Sequence, residues 1–359
     1  MHDHSLDYQL NSLYLYLADQ CNLSCKHCWI SPDFSHRQKH GISLDSLKKT
    51  ILEAETLGLQ SVKLTGGEPL LYRDIHALLA FLAVEGINIM IETNGTLFNS
   101  RILENLKSCK VEQISVSLDA ARAGVHDELR GVKGSFRRTV EGTRLLSEHG
   151  LDFQVIMTLQ RKNRTEIPGL ILLSKELGAG SLKINPLIPC GRGKEIFENK
   201  QNLYPYELME LYRMVEKEWS LDNGIDIIFD LPVALRSIKD IEKRGIIECN
   251  ILGILGILAN GDFSICGIGQ TIDELRMGNL YKDSIKDVWQ NNPILADLRK
   301  DLPKRLKGIC GRCIFRFQCL GSCRANAYAM TKDLFAPYFL CQESYESELF
   351  PDSRSQPVV

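Results

Sequence analysis

The chain has 359 residues, long for one domain and comfortable for two. Apolar residues make up 44% and charged residues 25%, and the net charge is −2, which argues against nucleic acid or an anionic membrane surface as partner. Twelve cysteines without a secretory signal in MHDHSLDYQL point to the reducing cytoplasm, where clustered thiols bind metal more often than they form disulfides.

In chain order, an aromatic-rich strand over 13–18, read from Ser12, ends at QCNLSCKHCW, residues 20–29. Ser43 is the expected N-cap of a helix on which Leu44, Leu47, Ile51 and Ala54 share a face, closed by Gly58. Strands follow at 61–65, 87–93, 113–119, 153–159 and 181–187. Between them lie predicted helices at 74–85, 100–108, 135–149 (capped by Ser135) and 168–177. Six strands alternating with helices imply right-handed crossovers and a parallel sheet, either a partial barrel or an open doubly wound sheet. Both architectures put chemistry at the C-terminal strand ends, where the cysteine loop, TGGEP, ETNG and SLDA lie.

The chain divides into a core over 1–195, a bridge of charged helices over 196–245, a turn-rich region over 246–345 with seven of the cysteines, and a frayed tail over 346–359. The apolar run IIECNILGILGILA (246–259) is too short to span a bilayer and reads as buried strand. ANGD (259–262) is a hairpin signal.

Cys21, Cys25 and Cys28 have the spacing C-x₃-C-x₂-C. A [4Fe–4S] cube needs one outside ligand per iron. Three thiolates therefore leave one corner open to a small molecule, as three protein ligands do in a catalytic zinc site. The alternatives are a zinc loop with a distant fourth ligand, or buried thiols.

With this spacing after the first strand, the sequence resembles the radical S-adenosylmethionine (SAM) enzymes. The resemblance implies a partial (β/α)6 TIM barrel, an α/β fold. It also implies that SAM chelates the open iron and is cleaved reductively to a 5′-deoxyadenosyl radical, which abstracts hydrogen. Gly66, Gly67 and Glu68, before Pro69, match the family's glycine-rich SAM motif. Glycines let backbone approach a ligand, and a carboxylate such as Glu68 accepts from an ammonium group. Asn94 and Ser117 stand at strand ends where related enzymes contact SAM, and Trp29 lines the SAM pocket or shields the cluster.

Cys249, Gly261, Cys266, Cys310, Cys313, Cys319, Cys323 and Cys341 follow the seven-cysteine pattern of the SPASM domain, which carries two auxiliary [4Fe–4S] clusters. The resemblance therefore implies a small C-terminal cysteine-rich α+β SPASM domain and three clusters in all. Its crossed ligation places Cys310, Cys313, Cys319 and Cys341 on the distal cluster, and Cys249, Cys266 and Cys323 on the proximal one. The fourth proximal position is open or remote, and Cys190 is one candidate; otherwise Cys190 is a simple loop thiol. Cys109 reads as a buried small hydrophobe. A zinc ribbon is the alternative for the C-terminal set.

The resemblance implies a peptide maturase that oxidatively forms a ring or crosslink in a ribosomally made precursor peptide. The alternative is a tetrapyrrole, a haem precursor or another small molecule as substrate, and a further one is a non-enzymatic iron–sulfur protein. Gly267 after Cys266 departs from the sulfatase-maturating relatives, which carry Asp there. Expected partners are a flavodoxin- or ferredoxin-type reductant and, for a peptide with a leader, a separate leader-binding protein or the barrel edge. In HDELRGVKGSF (126–136), Arg130 either contacts substrate or pins its loop. The basic loop RKNR (161–164) either reaches the SAM carboxylate or an acidic peptide, or is solvated. His2, His4, His27 and His40 have no regular spacing and read as ordinary polar residues, and no catalytic triad or phosphate loop is evident.

Overall fold

A computed structural model describes residues 8–30, 41–219, 224–246 and 249–356. His2, His4, His40 and the last three residues lie outside them. The strands form where short alternating runs place aliphatic side chains inward. In β1 (Ser12–Tyr16), Leu13 and Leu15 are fully buried while Ser12 and Tyr14 are half-buried. α1 (Leu44–Glu55) covers the sheet with Leu47, Ile51 and Ala54, and Ser43 caps it by accepting from the Ser46 amide at 3.5 Å. Then come β2 (Ser61–Thr65), α2 (Ile75–Val84), β3 (Asn88–Thr93), α3 (Ser100–Ser108), β4 (Gln113–Ser117), α4 (Ala123–Arg130), α5 (Ser135–Glu148), β5 (Gln154–Leu159), α6 (Ile167–Glu176) and β6 (Ser181–Pro186). The six expected strands pair parallel in sequence order.

α4 is not evident in the sequence, and it changes how α5 starts. Asp127 on α4 accepts from the backbone of Gly134 (2.6 Å) and Phe136 (2.7 Å) and from the Ser135 hydroxyl (2.8 Å). Ser135 is therefore the first residue of α5, and Asp127 supplies the cap.

The stretch read as a helical bridge begins within α7 (Gly193–Glu198) and contains α8 (Pro205–Met214), and also a seventh parallel strand, β7 (Asp226–Phe229), beside β6. β8 (Ile254–Ile257) adds parallel to the other side of β1, and the hairpin at Gly261 leads into antiparallel β9 (Asp262–Ser264) and β10 (Arg276–Asn279). The ten-stranded sheet runs β10-β9-β8-β1-β2-β3-β4-β5-β6-β7 and does not close, a partial barrel with a C-terminal cysteine-rich region. All four β8 residues are buried, which explains their uninterrupted apolar sequence.

The described part of the tail is packed: Ile314 donates to the Arg354 carbonyl at 3.0 Å and Gln356 to that of Arg312 at 2.8 Å. Among the described residues, no helix is long and apolar enough to cross a membrane.

Candidate active site

The C-terminal strand ends open onto one cavity of about 540 Å³. Cys21, Cys25 and Cys28 line it from the β1 loop, and Gly66 and Gly67 from the end of β2. Asn94 and Ser117 contribute from β3 and β4, and Lys183 from β6. Cys249, Cys323 and Tyr338 reach it from the C-terminal region. The strand ends singled out in the sequence thus meet at one cavity, and Trp29 joins them.

The cysteine loop has little regular structure, so backbone bonds to three other segments hold it. Gly67 donates to the Ala18 carbonyl at 2.7 Å and Glu68 to that of Gln20 at 2.9 Å. Ser24 donates to the Arg130 carbonyl (3.1 Å), Lys26 to that of Leu129 (2.9 Å), and Arg192 to that of Cys28 (2.9 Å). Gly67 leaves no room for a side chain, because a Cβ there would lie 2.1 Å from the Gln20 oxygen. We expect Gly67→Ala to displace the loop and to lower SAM affinity by at least about tenfold, ~1.4 kcal/mol, measured by equilibrium dialysis. Unchanged affinity contradicts this packing.

Glu68 does not line the cavity. Its carboxylate accepts from the Thr93 hydroxyl (2.7 Å), the Asn94 amide (2.9 Å) and the Leu70 amide (3.1 Å). Burial raises its pKa, and those bonds oppose the rise. Glu68 ties the β2 turn to the end of β3, leaving the glycine backbone to face a ligand. Asn94 Nδ2 donates to Asn22 at 2.8 Å and lies 3.9 Å from Cys21 Sγ.

Beneath the loop is a buried charged network. Arg130 Nε lies 2.7 Å from Asp119 Oδ2, and the same guanidinium is 3.7 Å from Cys25 Sγ. Asp119 also accepts from the Thr158 amide at 2.9 Å and faces His27 Nε2 at 3.4 Å. Burial would raise the Asp119 pKa, but Arg130 and His27 hold it below the usual value. Burial lowers His27 to about 4, so its ring is neutral at pH 7. Arg130 therefore pins the cysteine loop, through its carbonyl and its side chain. The basic loop at 161–164 does not line this cavity, and Arg161 and Arg164 both pair with Glu207 on α8. His27 and Asp119 escape sequence reading because they come from different strand ends.

The chemistry of the donors fits iron–sulfur clusters. Burial pushes the Cys21 thiol up to about 12, so metal must displace its proton. Cys310, Cys313, Cys319 and Cys341 line one small second cavity, the expected distal set. Backbone amides of Tyr338 and Phe315 point at Cys310 Sγ (3.3 Å) and Cys313 Sγ (3.4 Å). Fully buried Arg324 feels the charges of Cys310, Cys323, Cys319 and Cys341 should they ionise, a cation suited to an anionic cluster. Among the described residues, no three His, Cys, Asp or Glu side chains converge on a single-ion centre. Cys21, Cys25, Cys28, Cys249 and Cys323 instead line one cavity and Cys310, Cys313, Cys319 and Cys341 the other.

Comparison with known proteins is consistent with this geometry. Residues 15–173 match the radical SAM superfamily, and residues 249–314 match SPASM, an iron–sulfur cluster-binding domain. The AdoMet-dependent heme synthase of Methanosarcina barkeri is 32% identical, with 88% of this chain and 92% of that protein covered. A protein of the same name from Nitratidesulfovibrio vulgaris is 26% identical, with 89% of each covered. The crystal structure of Streptococcus suis SuiB bound to precursor peptide SuiA superposes with a TM-score of 0.75 at 20% identity, covering 94% of this chain and 76% of that one, a likeness of fold. A subtilosin biosynthesis protein of Bacillus subtilis is 29% identical, with 65% of that protein covered, and a mycofactocin maturase of Mycolicibacterium smegmatis 25%. The expectation of a peptide maturase is overturned by the 32% identity, over nearly the whole of both chains, to a heme synthase, which favours the tetrapyrrole alternative. The error arose because the motifs belong to the radical generator, which is indifferent to substrate.

Proposed function

This chain belongs to the radical SAM superfamily and is an enzyme with SAM and multiple [4Fe–4S] clusters as cofactors, and from that premise we propose that its substrate is a tetrapyrrole haem precursor. The observation that carries the reading is 32% identity, over nearly the whole of both chains, to a protein named as an AdoMet-dependent heme synthase. When bound, SAM and its cluster supply a radical that removes a hydrogen atom from the substrate.

The chain's own residues do the rest. Cys21, Cys25 and Cys28 hold three irons and leave one corner to SAM. The backbone of Gly66 and Gly67 receives the methionine end, beside Asn94 and Ser117. The cavity is of small-molecule size, with apolar walls at Ile156, Leu187 and Leu231. It must also hold SAM, so only the edge of a macrocycle enters. Lys183, held 3.0 Å from Asp230 in a partly exposed pair, and Arg192 offer positive charge to the carboxylates at that edge. Cys310, Cys313, Cys319 and Cys341 hold the distal auxiliary cluster, and Cys249, Cys266 and Cys323 the proximal one. The clusters these residues would hold would supply an acceptor for the electron released as the substrate is oxidised. A flavodoxin- or ferredoxin-type protein in the cytoplasm supplies the reducing electron.

The test is anaerobic turnover of the reconstituted chain with SAM, reductant and iron coproporphyrin III or other iron tetrapyrroles. We expect at least a roughly tenfold faster release of 5′-deoxyadenosine, ~1.4 kcal/mol of barrier, and a changed tetrapyrrole mass. If no tetrapyrrole binds or accelerates SAM cleavage, the reading is wrong.

A further inference from the structure

The proximal set has three cysteines for four irons, and the sequence from Ser237 to Glu248 offers no other. A further buried thiol of the core, Cys190, lies beside them. Cys190 follows β6 and is 3% exposed. Its Sγ accepts from Asn326 Nδ2 at 3.5 Å. The backbone amide of the same Asn326 donates to Cys323 Sγ at 3.4 Å, with Cys323 as the N-cap of the helix Arg324–Thr331. One buried residue therefore grips both sulfurs. Cys266 stands near enough to feel the charges of Cys323, Cys249 and Cys190 together.

The position of Cys190 is fixed from the other side as well. Gly191 has φ +54°, and a Cβ there would lie 2.4 Å from the Trp29 oxygen and 2.6 Å from that of Cys28. The next residue, Arg192, donates to that same Cys28 carbonyl at 2.9 Å. The 190–192 turn thus spans from the radical-cluster loop to the proximal cysteines. A buried thiol serving only as a small hydrophobe needs no such placement.

We propose that Cys190 is the fourth ligand of the cluster held by Cys249, Cys266 and Cys323, closing it with a residue of the barrel. A bond forms between Cys190 Sγ and the remaining iron, the thiol proton goes to solvent, and no oxidation state changes. The cluster is then fully ligated and serves in electron transfer, with no iron left for substrate. This rests on the SPASM assignment of the other three cysteines and is independent of the substrate.

The test uses the full chain with Cys21, Cys25 and Cys28 changed to Ala, reconstituted anaerobically to about eight irons in two auxiliary clusters. Paramagnetic resonance of the reduced protein is recorded with and without imidazole. We expect imidazole to leave this parent unchanged. Adding Cys190→Ser should shift the g-values of one cluster only, and Cys190→Ala should either make that cluster respond to imidazole or cost about four irons. The other cluster's signal reports that the fold is kept, and Cys109→Ala, which removes a buried thiol elsewhere, should change neither signal. A parent that already responds to imidazole, or a Cys190→Ala signal identical to the parent's, overturns the proposal. A parent that holds only about four irons overturns the three-cysteine assignment along with it.

Discussion

Replacing Cys21, Cys25 and Cys28 together with Ala is expected to abolish SAM cleavage and to remove about four of about twelve irons. All three thiols line the central cavity on one loop. That loop is held through backbone atoms of Ala18, Gln20, Ser24, Lys26 and Cys28, which the substitutions leave in place. The distal set, Cys310, Cys313, Cys319 and Cys341, lines a separate cavity and should keep its irons. Iron and sulfide analysis together with chromatography of 5′-deoxyadenosine decides the matter. An unchanged iron count, zinc in place of iron, or surviving SAM cleavage would each contradict the assignment.

Arg130→Ala should be the most damaging single change outside the ligands. It leaves Asp119, which is fully buried, without its 2.7 Å partner. Breaking a buried pair by removing one member costs on the order of 3–5 kcal/mol. That is a large fraction of the roughly 5–15 kcal/mol that holds a domain together. The pH dependence follows from the direction of the Asp119 shift. Its folded pKa lies below its unfolded value of about 3.9, so the pair's contribution is complete above that pH and is lost as pH falls through the folded value. The difference between wild type and variant should be full at pH 7 and shrink below about pH 4. Denaturant unfolding measures it, and a loss under about 1 kcal/mol at pH 7 would show that the pair carries little. The loss should also appear as weaker retention of the first cluster, because the Arg130 carbonyl holds Ser24 and its guanidinium lies 3.7 Å from Cys25 Sγ.

The barrel was legible because its strands carry a period of two. Residues 61–65 and 100–108 take the expected form residue for residue, and the structure adds that Asn99 caps the second by accepting from the Ile102 amide. α4 was hidden in AGVHDELRG, where charges and glycines mask the helical period. β7 was hidden by its length of four residues within a charged stretch. The cysteine loops were legible from spacing alone, since ligand number is written locally. The orientation of Glu68 was not, because both oxygens are taken by groups near β3 that only folding brings close. The same holds for the Asp119–His27–Arg130 network and for Asn326 between Cys190 and Cys323. Substrate choice was least legible, since the cavity walls come from many strand ends and carry no compact motif.

The measurement closest to the heart of this account is paramagnetic resonance of the dithionite-reduced, anaerobically purified chain, before and after SAM is added. The account predicts a [4Fe–4S] signal whose g-values move with SAM and which disappears in the Cys21/Cys25/Cys28→Ala protein. An iron–sulfur spectrum indifferent to SAM would contradict it.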